Sequence, residues 1–170
     1  LARRRDGTVL AWGNNGNGQL GNNNAPTSSP FPVQVRGVGG AGRLSGIKSV
    51  LASQFFSLAL GSGGTVFAWG SNAQGQLGNN NPPTSQFVPV QVLGPGGEGL
   101  LTNIKSLAAG FNFCLALRSD GRVFAWGSND SGQLGNNGTA SQSNVPEPVT
   151  TISDVVSIGA GGFHSLAVVR

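Results

Sequence analysis

Few side chains in this 170-residue sequence can do covalent or acid–base chemistry: one histidine, His164, one cysteine, Cys114, and six carboxylates. Nucleophilic catalysis needs a nucleophile, a base within hydrogen-bond reach and a group that orients the base. His164 and Cys114 fall at neighbouring places of two successive sequence repeats, so nothing in the spacing turns one toward the other. The carboxylates form no D-x-D or H-E-x-x-H pattern and offer a metal no ligand set. Cys114 is alone, which excludes an internal disulfide; Ser57 and Ser165 take its slot in the aligned copies, so it reads as a small buried strand residue rather than a reactive thiol. Gly16-Asn17-Gly18-Gln19-Leu20-Gly21 satisfies the phosphate-cradling G-x-G-x-x-G pattern. Its aligned counterparts, around Ala73 and Ser131, break that pattern, and no helix follows to point its N-terminus at a pyrophosphate. No catalytic residue, cofactor or metal is therefore expected, and the chain reads as a non-enzyme. Two asparagine sequons, Asn129-Asp130-Ser131 and Asn137-Gly138-Thr139, are chance products of an asparagine-rich stretch.

Recognition chemistry is better represented. Lysine and arginine number 10 against 6 acidic residues, a net charge of +4, while charged residues make up only 9% of the chain. At such low charge density a few arginines dominate the local potential. The composition is not that of a disordered chain, which pairs low hydrophobicity with high charge. No run reaches the eighteen or so apolar residues of a membrane helix, and no basic-then-apolar segment opens the chain, which begins inside a repeat.

The elements that must position these groups repeat. Val9-Leu10-Ala11-Trp12-Gly13 with Gly18-Gln19-Leu20-Gly21 returns as Val66-Phe67-Ala68-Trp69-Gly70 with Gly75-Gln76-Leu77-Gly78. It returns again as Val123-Phe124-Ala125-Trp126-Gly127 with Gly132-Gln133-Leu134-Gly135, the tryptophans 57 residues apart both times. An array with this period buries its core by stacking units. Pro32-Val33 matches Pro89-Val90, and Pro148-Val149 is expected in the same place of the third copy. The third copy is six residues shorter, a loss assigned to the glycine-rich stretch Leu93 to Leu101 as a surface loop.

Within one unit the residues predict four strands: Ile47 to Ala52, Phe56 to Leu60, Thr65 to Trp69 and Val88 to Val92. Turn Gly61-Ser62-Gly63-Gly64 joins the second to the third, and a polar loop through Asn79-Asn80-Asn81-Pro82-Pro83 leads to the fourth. Four antiparallel strands per unit make a β-propeller blade, so the fold class is all-β: three blade equivalents with incomplete blades at both ends. One partial propeller spans 1–170, with repeats at 1–46, 47–103, 104–151 and 152–170. Three blades are too few to close a ring, so self-association or the remainder of a longer chain is expected to complete it.

The combination D/G-G-x-V-x-A-W-G, G-Q-L-G, a later Pro-Val pair and Ile-x-x-hydrophobic-x-A-G closely resembles the repeat family of the regulator of chromosome condensation. Trp69 to Gly78 and Trp126 to Gly135 carry its W-G-x-N-x-x-G-Q-L-G core, and Trp12 to Gly21 fits it. The resemblance implies a seven-bladed propeller. One departure stands out: His164 occupies a histidine slot of the family repeat that Phe56 and Phe113 fill in the other copies, which makes packing its expected duty. A light-sensing role like that of the plant UV-B photoreceptor branch is not expected, because the three tryptophans are repeat-core residues.

Blade connectivity sorts the charges. Turns between first and second and between third and fourth strands open on one face; second-to-third turns and the links between blades open on the other. All ten basic residues fall on or near the second face with four of the carboxylates, a net +6, against −2 opposite from Asp130 and Glu147. Arg36, Arg43, Arg118 and Arg122 are the candidate basic binding residues, and the other face is neutral and asparagine-rich. The expected function is a protein-interaction scaffold that meets a partner protein, with an acidic surface, through blade loops. Nucleic acid is disfavoured because no aromatics interleave with the arginines. The alternatives are a guanine nucleotide exchange factor for a small GTPase, which the resemblance implies for some members, and a secreted bacterial binding or inhibitor protein. The low charge leans the expected location toward a secreted or cell-surface bacterial protein over a cytoplasmic one.

Overall fold

The computed structural model describes residues 1–81 and 83–170; Pro82, which the sequence places in the long polar loop, lies outside them. Strands β1 (Ala2–Arg3), β2 (Val9–Gly13) and β3 (Ser29–Gln34) form the first sheet. Strands β4 (Ile47–Ala52), β5 (Phe56–Gly61), β6 (Val66–Gly70) and β7 (Gln86–Gln91) form a complete second one in sequential antiparallel order. The third has the same order: β8 (Ile104–Ala109), β9 (Phe113–Arg118), β10 (Val123–Ser128) and β11 (Gln142–Pro148). Strands β12 (Val155–Ala160) and β13 (Ser165–Val169) begin a fourth. These are β-propeller blades, two complete and two partial.

The core lies between blades rather than within them, because a strand alternates its side chains between two faces. In β5, Phe56, Leu58 and Leu60 join Cys114, Ala116 and Trp126 of the third blade, while Ala59 joins Val9, Leu20 and Val35 of the first. Each second strand therefore turns large residues toward the next blade and small ones toward the preceding one. Strand β9 repeats the rule, with Phe113, Leu115 and Leu117 facing Val155 of the fourth blade. Burying a side chain of this size contributes about 1.5–3 kcal/mol, and every joint contains several.

Inner strands β4, β8 and β12 each carry a bulge after their first residue. Ile47 pairs with Gly61 and Ser49 with Leu60, leaving Lys48 as the extra residue; Lys105 and Val156 take the same place in the next two blades. A bulge re-aims its side chain, and both lysines emerge exposed.

The register corrects one sequence expectation. Val35, Val92 and Val149 donate equivalent backbone hydrogen bonds to Val9, Val66 and Val123, at 3.0, 2.9 and 2.9 Å. Val149 therefore matches Val92, and Pro146 rather than Pro148 stands where Pro89 does. The third copy has Glu147 at the Val90 position, opposite Ala125 as Val90 is opposite Ala68, which hid the alignment. The six-residue loss does fall in the link, which runs from Val92 to Ile104 in one case and from Val149 to Val155 in the other.

Candidate functional site

The tryptophans and the Gln-Leu-Gly runs meet across every complete joint. Trp69 Nε1 donates to the Gln19 carbonyl of the preceding blade at 2.9 Å, and Ser57 Oγ donates to the same oxygen at 2.9 Å. One blade on, Trp126 Nε1 donates to Gln76 O at 2.9 Å and Cys114 Sγ approaches it at 3.4 Å. Ser165 Oγ reaches Gln133 O at 2.6 Å. The carbonyl of the repeat glutamine is thus the acceptor on which the next blade docks. Leu20, Leu77 and Leu134 are buried beside it. Gly78, at φ 60°, leaves no room for a side chain, since a Cβ there would lie 2.9 Å from both Trp126 Nε1 and Val92 Cγ1. Gly21 is pressed against Trp69 in the same way.

Gly13, Gly70 and Gly127 follow the tryptophans at positive φ, and only the last two are opposed by a full second strand of their own blade. Gly70 lies against Phe56 and Gly127 against Phe113, whereas Gly13 has open space around it. Gly135, which ends the third run, has the side chain of Val149 as its neighbour. Trp12 is 46% exposed while Trp69 and Trp126 are fully buried, because the first sheet has no blade before it in this chain.

Sequence reasoning missed a second device in the same motif. The asparagine three residues after each tryptophan is buried and staples its loop: Asn15, Asn72 and Asn129 accept from the backbone of Leu20, Leu77 and Leu134 at 3.0, 3.0 and 3.1 Å. Their amides donate to Thr27, Asn81 and Ala140 carbonyls. Asn129, read from sequence as a chance sequon, is therefore a structural residue, and its fixed offset from tryptophan was the available signal. Burial pushes the Cys114 thiol well up, so the thiolate is suppressed. His164 sits where Phe56 and Phe113 sit, next to the docking residue Ser165.

The four candidate arginines fall into two pairs on separate elements. Arg36 and Arg43 face each other across an isolated antiparallel bridge in the link between first and second blades, both exposed. Arg118 and Arg122 flank the β9–β10 turn of the third blade, where Asp120 holds them. Arg118 makes its closest contact with Asp120 at 2.7 Å, and Arg122 lies 3.8 Å from the same carboxylate. Hydrogen bonding from Arg118 is the main reason the Asp120 carboxyl falls to about 2. A pocket of about 210 Å³ beside that turn mixes Lys105 and Arg170 with Asp120 and Asp154. Glu147 is not on the opposite face as the sequence suggested: it stands beside Ala125, at the end of β11 away from the third-to-fourth turn. The opposite face also carries exposed aromatics, Phe55, Phe111 and Phe163, on first-to-second turns. Phe111 and Phe163 meet edge to face with ring centres 5.1 Å apart.

Blades that dock through a tryptophan on the preceding glutamine carbonyl define a tandem-repeat β-propeller. The chain belongs to the Regulator of chromosome condensation (RCC1) repeat family, whose model matches residues 6–60, 63–117 and 120–168. Among curated relatives, the human Probable E3 ubiquitin-protein ligase HERC6 is 37% identical over 173 residues, covering 100% of this chain and 16% of the relative. The human Probable E3 ubiquitin-protein ligase HERC3 is 33% identical, covering 99% of this chain and 15% of that protein. The chain thus spans about a sixth of the length of these relatives. Among solved structures, human WBSCR16 superimposes with a TM-score of 0.79 at 27% identity, over 98% of this chain and 41% of that one. Prp20p of Saccharomyces cerevisiae, described with its binding to Gsp1p and histones, gives 0.79 at 25% identity, over 99% and 40%.

Proposed function

We propose that this chain is a protein-interaction module: consecutive RCC1-type blades that hold one loop face rigid and offer it to another protein. The observation that carries this reading is the division of charge. The bulged Lys48 and Lys105, the link arginines and the turn arginines all belong to the face of the second-to-third turns and the links. Joints closed by buried indoles and hydrogen bonds keep that face in one shape, which lowers the ordering cost of binding. An acidic partner surface complements it. The blades carry no catalysis of their own in this reading, and the ligase activity named for the HERC relatives is assigned to no residue here.

The test places a photo-cross-linking amino acid at Ser62, in the second-to-third turn of the second blade, or at Ala73, in the opposite loop. Cross-linking to a partner from Ser62 but not from Ala73 is expected; capture from Ala73 alone contradicts the reading. Guanine nucleotide exchange, the alternative, is checked by following release of labelled GDP from a small GTPase captured in this way.

A further inference from the structure

We propose that Arg36 and Arg43 form a two-guanidinium clamp for neighbouring carboxylates on an acidic segment of the partner protein. This rests on the interaction face proposed above and names the contact within it.

The two residues are directly opposite in an antiparallel bridge, so their side chains leave the same side of the ribbon. Val35 and Leu44, the adjoining residues, are buried, which turns both arginines outward. The backbone beneath them is pinned: Arg36 N donates to Gly21 O of the repeat motif at 2.9 Å, Leu44 N to Val35 O at 3.1 Å and Gly40 N to Gly37 O at 2.9 Å. Like charges held directly opposite destabilise a strand pair, and neither arginine has an ion-pair partner within 4.0 Å among the described residues. Among the described residues the ion pairs within 4.0 Å all involve Asp120. Asp6 is the carboxylate that senses Arg43: hydrogen bonds from Thr8 N at 2.9 Å and Thr8 Oγ1 at 2.7 Å to its Oδ1 do most to lower its carboxyl pKa, Arg4 and Arg43 add to this through their charge, and it makes no ion pair with either arginine of the bridge within 4.0 Å.

The fold does not require the pair. At the same register of the next link the bridge is Leu93 opposite Leu100. Arg118 shows the contrasting case of a guanidinium already satisfied within its own turn. Two planar donor forks rising from directly opposed backbone positions suit bidentate carboxylate recognition. The exposed phenylalanines Phe55, Phe111 and Phe163 lie on the other face, so stacking with bases adds nothing here.

The experiment measures binding of a fluorescein-labelled octaglutamate peptide to the protein by anisotropy, at several salt concentrations. In Arg36→Leu/Arg43→Leu the link receives the pair its neighbour already uses, so the blades remain folded, checked by near-UV circular dichroism of the tryptophans. Binding about tenfold weaker, roughly the 1.4 kcal/mol that a tenfold change represents, with a shallower salt dependence, is expected. Arg118→Leu/Arg122→Leu is expected to change it less than about threefold, since Asp120 offsets one of those two charges and pairs closely with Arg118. Binding within twofold of wild type in Arg36→Leu/Arg43→Leu, or no octaglutamate binding by the wild type, overturns the clamp. If that variant is silent while Lys48→Gln/Lys105→Gln abolishes binding, the clamp fails and the basic face stands. If no variant matters and Ser62 captures nothing, the face fails too. Equal arginine-dependent binding of an eight-residue thymidine oligonucleotide overturns the carboxylate assignment in favour of phosphate.

Discussion

Asp120 is the residue at which the surface chemistry of the third blade is settled. Its carboxylate accepts from Arg118 Nε and Nη2 and from the backbone of Arg122, so the turn neutralises one of its two cations, Arg118, before any partner arrives. A carboxyl with a depressed folded pKa contributes stability above its unfolded value, near 3.8, and that contribution is lost as pH falls through the folded value of about 2. Carbon-detected NMR of the Asp120 carboxyl is expected to show a midpoint near 2, moving up toward the ordinary aspartate range in Arg118→Ala. A normal midpoint in the wild type would show that the pair is not formed. The Cys114 slot makes a related point about chemistry withheld, for the thiol, like Ser57 and Ser165, faces a glutamine carbonyl of the preceding blade and titrates late because it is buried.

At the scale of elements, the joint between blades is the unit of stability. Trp126 is fully buried with its indole nitrogen bonded to Gln76 O, whereas Trp12, the same residue of the same motif, is 46% exposed. Trp126→Ala is therefore expected to lower unfolding stability of the 170-residue chain by about 3–5 kcal/mol, the range for a buried large aromatic. Trp12→Ala is expected to cost less than about 1 kcal/mol. Urea unfolding of both variants checks this, and equal costs would mean that the joint is not where the stability resides. Strand positions and the repeated tryptophan, glycine and leucine core were legible because period and alternation report burial directly. The asparagine staple showed only as a fixed offset from tryptophan and not as a role, since a polar residue in a glycine-rich loop looks like solvent-exposed turn chemistry until its amide is seen buried and bonded. Pro148 misled for a different reason: Glu147 takes a valine position at the outer strand, where burial is partial and residue type is weakly constrained.

For the whole molecule, rigid joints turn sequence-distant cations into one face. Which turns share a face follows from connectivity, because antiparallel strands fix where each turn emerges, but the sequence puts Glu147 at the wrong end of its strand. What the sequence could not show was the state of each charge: Arg118 and Arg122 are held by Asp120, while Arg36 and Arg43 stand opposite each other without such a partner. Nor could it show the aromatic rim of Phe55, Phe111 and Phe163 opposite, since exposure of a phenylalanine beside a strand is decided by the neighbouring blade. The most direct measurement of the central claim is hydrogen–deuterium exchange on the protein with its captured partner bound and free. Protection confined to the links at 36–46 and 93–103 and to the turns at 61–65 and 118–122 is the result this account predicts. Protection centred instead on the asparagine-rich loops or on the turns bearing Phe55 and Phe111 would contradict it and move the interaction to the other face.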